Sequence, residues 1–241
     1  MRTEPLTLAA ITQALTEGWR TANATRGTSV GYAAIFTLVG AVILWLLLAR
    51  GFTPFVIAAA GAFMLVGPGI LAGFFGIAKG HVAGETVSFS HVVRGFAAAD
   101  PTIWVIALVC ALLFMIFVTD AAILYSYMVG GAPIWLTNLV PASSGVINFL
   151  IWGAISGFVI ALLLFCISAF SVPLLCERRA SLVPAVVTSV RVVFGRFPLA
   201  MLWAALISTL IIGSILLLPS LPLVLPWLAY ASHALYRRTF P

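Results

Sequence analysis

The sequence predicts an all-α integral membrane protein, a six-helix transmembrane bundle, and three observations carry that prediction. Apolar residues make up 63% of the chain and charged residues only 7%, where a soluble domain carries roughly 25% charged residues. The apolar residues gather into six runs, most of about the ~20 residues a helix needs to cross a bilayer. The cations fall so that eleven of the twelve Lys and Arg share one side once those runs are threaded through a membrane. A chain this poor in charge has most of its surface in lipid, and lipid forces each segment to satisfy its own backbone as a helix.

The expected spans cover residues 29–49, 55–78, 102–128, 147–175, 199–218 and 219–236. A short turn, Arg50-Gly-Phe-Thr-Pro54, joins the first two. The sixth is short and interrupted by Pro222 and Pro226, which lack a backbone donor, so a kinked or partly re-entrant segment is compatible with it. With the N-terminus in the cytoplasm, Arg2, Arg20, Arg26, Lys79, Arg94, Arg178, Arg179, Arg191, Arg196, Arg237 and Arg238 all stay inside, and Arg50 alone lies outside. Cations are retained on the cytoplasmic side during insertion, so both termini are expected in the cytoplasm. Glu4, Glu17 and Arg20 interrupt any apolar stretch a cleavable signal peptide would need.

The segments preceding each hairpin look alike. Leu8, Ile11, Leu15 and Trp19 form one apolar stripe at helical spacing, Phe89, Val92, Val93 and Phe96 a second, and Val183, Val186, Val190, Val193 and Phe197 a third. Each suits an interfacial helix with its apolar side in lipid or against the bundle. The chain therefore reads as three parallel repeats of interfacial helix plus transmembrane hairpin. A cytoplasmic interfacial helix occupies 1–28, and a six-span membrane domain, 29–241, has further interfacial helices near 87–97 and 182–197.

Two stretches resemble a known family. Gly67-Pro-Gly-Ile-Leu-Ala-Gly73, continuing through Ala78-Lys79 to Gly84-Glu85, is similar to a G-P-x-x-A-x-G motif, and Ser171-Val-Pro-Leu-Leu-Cys-Glu-Arg178 to an S-x-P-L-L-x-[DE]-R motif. Both belong to a family of bacterial integral membrane proteins classed as a domain of unknown function and sometimes labelled cytochrome c oxidase subunit-like. The resemblance implies a helical membrane bundle in the bacterial inner membrane, and its label points weakly to a respiratory complex. The family tail, G-H-A-[ST]-W-H-x-Y-R, aligns with Ala229–Arg237, where Tyr230 and Ala234 stand at its two histidine positions and His233 at its tryptophan. No haem or metal role carries over from those histidines.

Asp120 is the one acid deep within an apolar run, near the outer end of the third span, and Arg50 closes the first span at similar depth. An ionised group in hydrocarbon needs a partner or a route to the headgroups. The pair Arg50–Asp120 is one expectation, and an Asp120 that reaches the outer headgroups is the other. Gly69, Gly73, Gly76 and Gly80 recur at spacings of three or four, as do Gly153 and Gly157, which predicts faces where helix backbones approach closely. Pro68 and Pro173 mark helix breaks in successive returning spans, either packing kinks or openings that expose backbone to a solute.

Cys110, Cys166 and Cys176 have no C-x-x-C spacing and read as small buried hydrophobes, while His81, His91 and His233 read as solvent-side or interfacial. No nucleophile elbow, Walker or zinc-protease motif appears. The expectations are no catalytic residue, no cofactor and no metal; the partners are the bilayer and other membrane subunits, with no nucleic acid. Two functions follow: a non-catalytic accessory or assembly subunit of a larger membrane complex, or a small-solute transporter or channel. A transporter would draw on hydroxyls such as Ser156, Ser168, Ser208, Thr209 and Ser214.

Overall fold

A computed structural model of the chain describes residues 4–52, 67–130 and 144–241. Among the described residues there are ten α-helices and one 3-10 turn: α1 (Leu8–Ala24), α2 (Arg26–Ala49), α3 (Gly67–Val82), α4 (Phe89–Ala98), α5 (Ile103–Val129), α6 (Ser144–Ser168), α7 (Ser171–Cys176), α8 (Leu182–Gly195), α9 (Phe197–Leu216), the turn Leu218–Ser220, and α10 (Leu221–Thr239). Four stretches are long and apolar enough to cross a membrane: α2, α5, α6 with α7, and α9. They match the first, third, fourth and fifth expected spans. The second expected span begins in residues outside the described set and continues as α3.

The sixth expected span differs from the others in kind. α10 is not among the four apolar stretches, yet Leu228, Tyr230, Ala231, His233, Leu235 and Tyr236 along it are all buried. Protein surrounds this helix on several sides: α1, α2, α3 and α9 pack on it. A helix wrapped in protein can carry phenols and an imidazole that lipid would penalise, provided they find partners. α3 is likewise internal, with Ile70, Phe74, Phe75 and Ile77 buried. Among the described residues, the two larger of three apolar clusters both draw on α3 and α10, and the third joins α5 to α6.

α1 lies antiparallel along the second half of α10. Gly18 lets the helices touch, since a Cβ there would sit 2.5 Å from the Ala231 nitrogen. Trp227 donates from Nε1 to the Leu15 carbonyl at 2.9 Å, and its ring meets Trp19 edge-on at 5.5 Å. Thr7 caps α1 by accepting from the Ala10 amide. The helix therefore belongs to the bundle, and the next one begins at Arg26, three residues before the expected start of the first span.

In the three helices expected at the interface, the apolar stripe is mostly not the packed face. Leu8 and Trp19, Phe89 and Val93, and Val183 are exposed. The stripe members Ile11, Val92 and Val193 do face inward, beside Ala14 and Gly18, His91 and Gly95, and Ala185 and Ser189 respectively. Each inward face thus mixes one apolar stripe residue with small residues such as Ala14, Gly18, Gly95 and Ala185, which allow close backbone approach.

The glycine faces hold in part. Cβ atoms at Gly73, Gly76 and Gly80 would collide with the Tyr32 ring, the Gly95 backbone and the His91 ring respectively, and one at Gly157 would press on the Phe117 ring at 3.1 Å. Gly69 and Gly153 meet nothing within 4 Å. Among the described residues, the close contacts lie one or more turns further along each helix.

The chain ends meet. The Glu4 amide donates to the Thr239 carbonyl at 2.9 Å. Arg238 donates to Gln13 Oε1 at 2.6 Å and to Glu17 Oε2 at 3.0 Å. Arg179 donates to the Phe240 and Pro241 carbonyls at 2.7 and 3.2 Å. Both termini therefore occupy one end of the bundle, together with Lys79, Arg178, Arg179 and Arg238.

Candidate functional site

The most polar part of the interior lies where α3, α7 and α10 converge at that cation-rich end, and it is built around a helix break. Between α6 and α7 the helical hydrogen bonding is interrupted at Phe170, with Pro173 in the first turn of α7, where its missing amide would lack a helical partner in any case. Ser189 of α8 inserts at the break: its hydroxyl accepts from the Phe170 amide at 3.2 Å and donates to the Cys166 carbonyl at 2.8 Å. The Ser171 hydroxyl donates to the Ile167 carbonyl. Protein hydroxyls thus serve the backbone groups that an open break would offer to a solute.

Glu177 follows directly, at the acidic position of the second sequence motif. Its Oε1 accepts from His233 Nε2 at 3.1 Å and its Oε2 from the Tyr236 hydroxyl at 3.0 Å. The Glu177 side chain is 17% exposed and that of His233 8%. His233 and Tyr236 sit three apart on α10 and so share one face. The His233 ring also leans on Phe75 of α3, centroids 4.7 Å apart. Burial pushes the Glu177 carboxyl up, but the hydrogen bonds from His233 and Tyr236 and the nearby Lys79 ammonium outweigh it, so the group sits below the usual carboxylate range.

The adjacent arginines turn to the backbone rather than outward to phosphate. Arg178, in the left-handed region at φ 52°, donates to the Ala99 carbonyl at 3.3 Å, and Arg179 holds the C-terminal carbonyls. Glu177-Arg178-Arg179 therefore ties α7 to α4, α10 and the chain end at once. A carboxylate, an imidazole and a phenol of this kind could move a proton, but here each is turned onto another and buried. The arrangement is a clasp.

Two hollows flank the clasp along α3 and α7. Towards the chain ends, a pocket of about 260 Å³ is lined by Lys79, Glu85, His91, Arg94 and Cys176 among others. His91 Nδ1 faces the Ser88 amide at 3.2 Å, so Nε2 is assigned the proton it donates to Glu85 Oε2 at 2.9 Å. Arg94 reaches the same carboxylate oxygen at 3.1 Å. The His91 hydrogen bond, foremost, and the Arg94 charge hold Glu85 below the usual carboxylate range. In the other direction, a cavity of about 580 Å³ opens between α3, α6, α7, α9 and α10. Among the described residues its walls are apolar apart from Ser168, Ser208, Thr209 and Ser232. Pro68 and Pro173 both line it, and so do three of the five expected hydroxyls. The Ser168 hydroxyl is already bound to the Leu164 carbonyl at 2.7 Å.

Other expected sites fall elsewhere. The Arg50–Asp120 pair is not formed: Arg50 is exposed, and Asp120 Oδ2 is buried with no hydrogen-bond partner. His81 is exposed as expected, whereas His91 and His233 are buried, 5% and 6% exposed. All three cysteines are free and buried, and the described residues contain no cluster of three metal-ligating side chains. The Glu177–His233–Tyr236 clasp was not expected from the sequence. Its signals were there to combine: an acid closing a motif, and His and Tyr one turn apart on a segment too polar for lipid.

The family model described as a predicted integral membrane protein, DUF2189, matches residues 55–177, just over half of the chain. No curated protein matches the chain, and no solved structure does either.

Proposed function

The chain belongs to the DUF2189 family of predicted integral membrane proteins, and on that footing we propose that it is a non-catalytic accessory or assembly subunit of a larger membrane complex. In this reading it sits in the bacterial inner membrane with both termini in the cytoplasm. The observation that carries the subunit role is α2. This helix is 24 residues long, yet only 11% of its most apolar stretch is buried within the chain. It is anchored chiefly at its first turns, where Ser29 meets the Tyr230 hydroxyl at 2.6 Å and Tyr32 packs edge-on against Phe74. Its second half, from Leu38 through Leu48, presents large apolar side chains outward, a surface suited to another helix in the bilayer.

The threefold repeat remains part of this reading. It is supported by the matching inward faces of α1, α4 and α8, each with two small or polar residues four apart: Ala14 and Gly18, His91 and Gly95, Ala185 and Ser189. A transporter for small solutes is the second reading, favoured by the cavity that Pro68 and Pro173 share. The apolar walls and the hydroxyl-served break weigh against a polar solute.

A photo-crosslinking residue at Val42, in the full chain in its native membrane, tests the subunit role. A discrete protein adduct from Val42, absent from the same probe at buried Ala33, is the expected result. Adducts to lipid alone, with a monomeric mass after extraction in a mild detergent, would refute it.

A further inference from the structure

The pocket and the cavity are bounded by the same two helices, in the same order. Along α3 the residues run from Pro68, Leu71 and Phe75 in the apolar cavity to Gly76 and Lys79 in the charged pocket. Along α7 they run from Val172 and Pro173 to Cys176. Phe75 lines both hollows. From Pro68 to Lys79 a helix rises ~16 Å, so apolar and charged hollows succeed one another along the bundle axis, as tail and headgroup do in a lipid. We propose that together they form one binding site for an anionic phospholipid, with a hydrocarbon tail in the cavity and the phosphate against Lys79 and Arg94.

Charge and volume both point to that occupant. Glu85 is met by His91 and Arg94, but Lys79 makes no ion pair among the described residues, and its hydrogen bond to the Cys176 carbonyl is long, at 3.5 Å. Glu177 lies near Lys79 but beyond ion-pair distance, so the Lys79 ammonium keeps donors free for a phosphate oxygen. The cavity volume falls within the ~300–1,000 Å³ of ligand sites and, with so few hydroxyls, suits hydrocarbon. A free anion would leave the cavity unfilled.

Native mass spectrometry of the full chain, with palmitoyl-oleoyl phosphatidylglycerol or the matching phosphatidylcholine at equal concentration, tests the site. The expected result is one phosphatidylglycerol retained per chain, at least tenfold over phosphatidylcholine. Lys79→Gln should bring retention down to the phosphatidylcholine level, and Ala204→Phe, or Ala161→Leu as a milder change on another wall, should lower retention at least fivefold. Thermal unfolding without lipid identifies variants that fold, and only those are scored. Equal retention of both lipids, full retention by Lys79→Gln, or insensitivity to both cavity variants would overturn the proposal. Glycerol phosphate competing as well as intact lipid would also overturn it, assigning the pocket to a free phosphate instead.

Discussion

Replacing Glu177 by alanine removes the one acceptor shared by His233 Nε2 and the Tyr236 hydroxyl. Both donors belong to residues almost wholly out of contact with solvent, so each would be left unsatisfied. An orphaned buried donor costs about 1–3 kcal/mol, giving a loss of roughly 2–5 kcal/mol for the pair. For a chain of this length ~1 kcal/mol shifts Tm by about 2–4 °C, so Glu177→Ala should melt roughly 5–15 °C lower. Glu177→Gln keeps one carbonyl acceptor and should lose about half as much. Tyr236→Phe on top of Glu177→Ala deletes one orphan, so the double variant should be more stable than additivity predicts, by about 1–2 kcal/mol.

The pH dependence has a definite sign. The folded carboxyl lies below its unfolded value of about 4.3, so its stabilisation is fully present above that value and is lost as pH falls through the folded one. Between pH 5 and 3 the parent protein should therefore lose more stability than Glu177→Gln. Recovery of the monodisperse peak after heating in mild detergent measures all of these. A Glu177→Ala Tm within about 1 °C of the parent, or strict additivity with Tyr236→Phe, would refute the clasp.

Other substitutions probe the packing. Gly76→Ala must displace the Gly95 backbone and should destabilise by about 1–3 kcal/mol, whereas Gly69→Ala meets open space and should be neutral or slightly stabilising in the same melting assay. Ser189→Ala strands the Phe170 amide and the Cys166 carbonyl at the helix break and should cost about 2–4 kcal/mol in thermal unfolding. Arg50→Ala and Asp120→Asn should combine additively, with a coupling in the melting cycle under about 0.5 kcal/mol, because the two side chains do not meet.

The spans that face lipid were legible because hydropathy responds to the solvent a helix meets, and α2, α5 and α9 meet hydrocarbon along most of their length. α3 and α10 were harder to place for the same reason reversed. Their surroundings are protein, so Tyr230, His233 and Tyr236 could be retained at positions where a hydropathy scale reads only weakness. The three short helices were legible as helices from their apolar stripes, but not by orientation. Periodicity does not say which side of a helix faces lipid, and each inward face mixes one stripe residue with small residues such as Gly18, Gly95 and Ala185. Gly73, Gly76 and Gly80 were found by spacing, whereas spacing says nothing of which neighbour, if any, faces Gly69 at the start of the same helix. The Arg50–Asp120 expectation failed for a related reason: similar depth in two spans says nothing of their distance across the bundle. The second motif located Glu177 and Ser171 in sequence, but their partners lie on α8 and α10, a tertiary fact that no local pattern encodes.

The two chain ends meet at one cation-rich end of the bundle, and the proposed reading puts that end in the cytoplasm. Fusing a reporter pair to each terminus in turn, one partner fluorescent only in the cytoplasm and the other enzymatically active only outside it, measures this directly. The account predicts fluorescence without external enzyme activity from both the N-terminal and the C-terminal fusions. External activity from either terminus would contradict it.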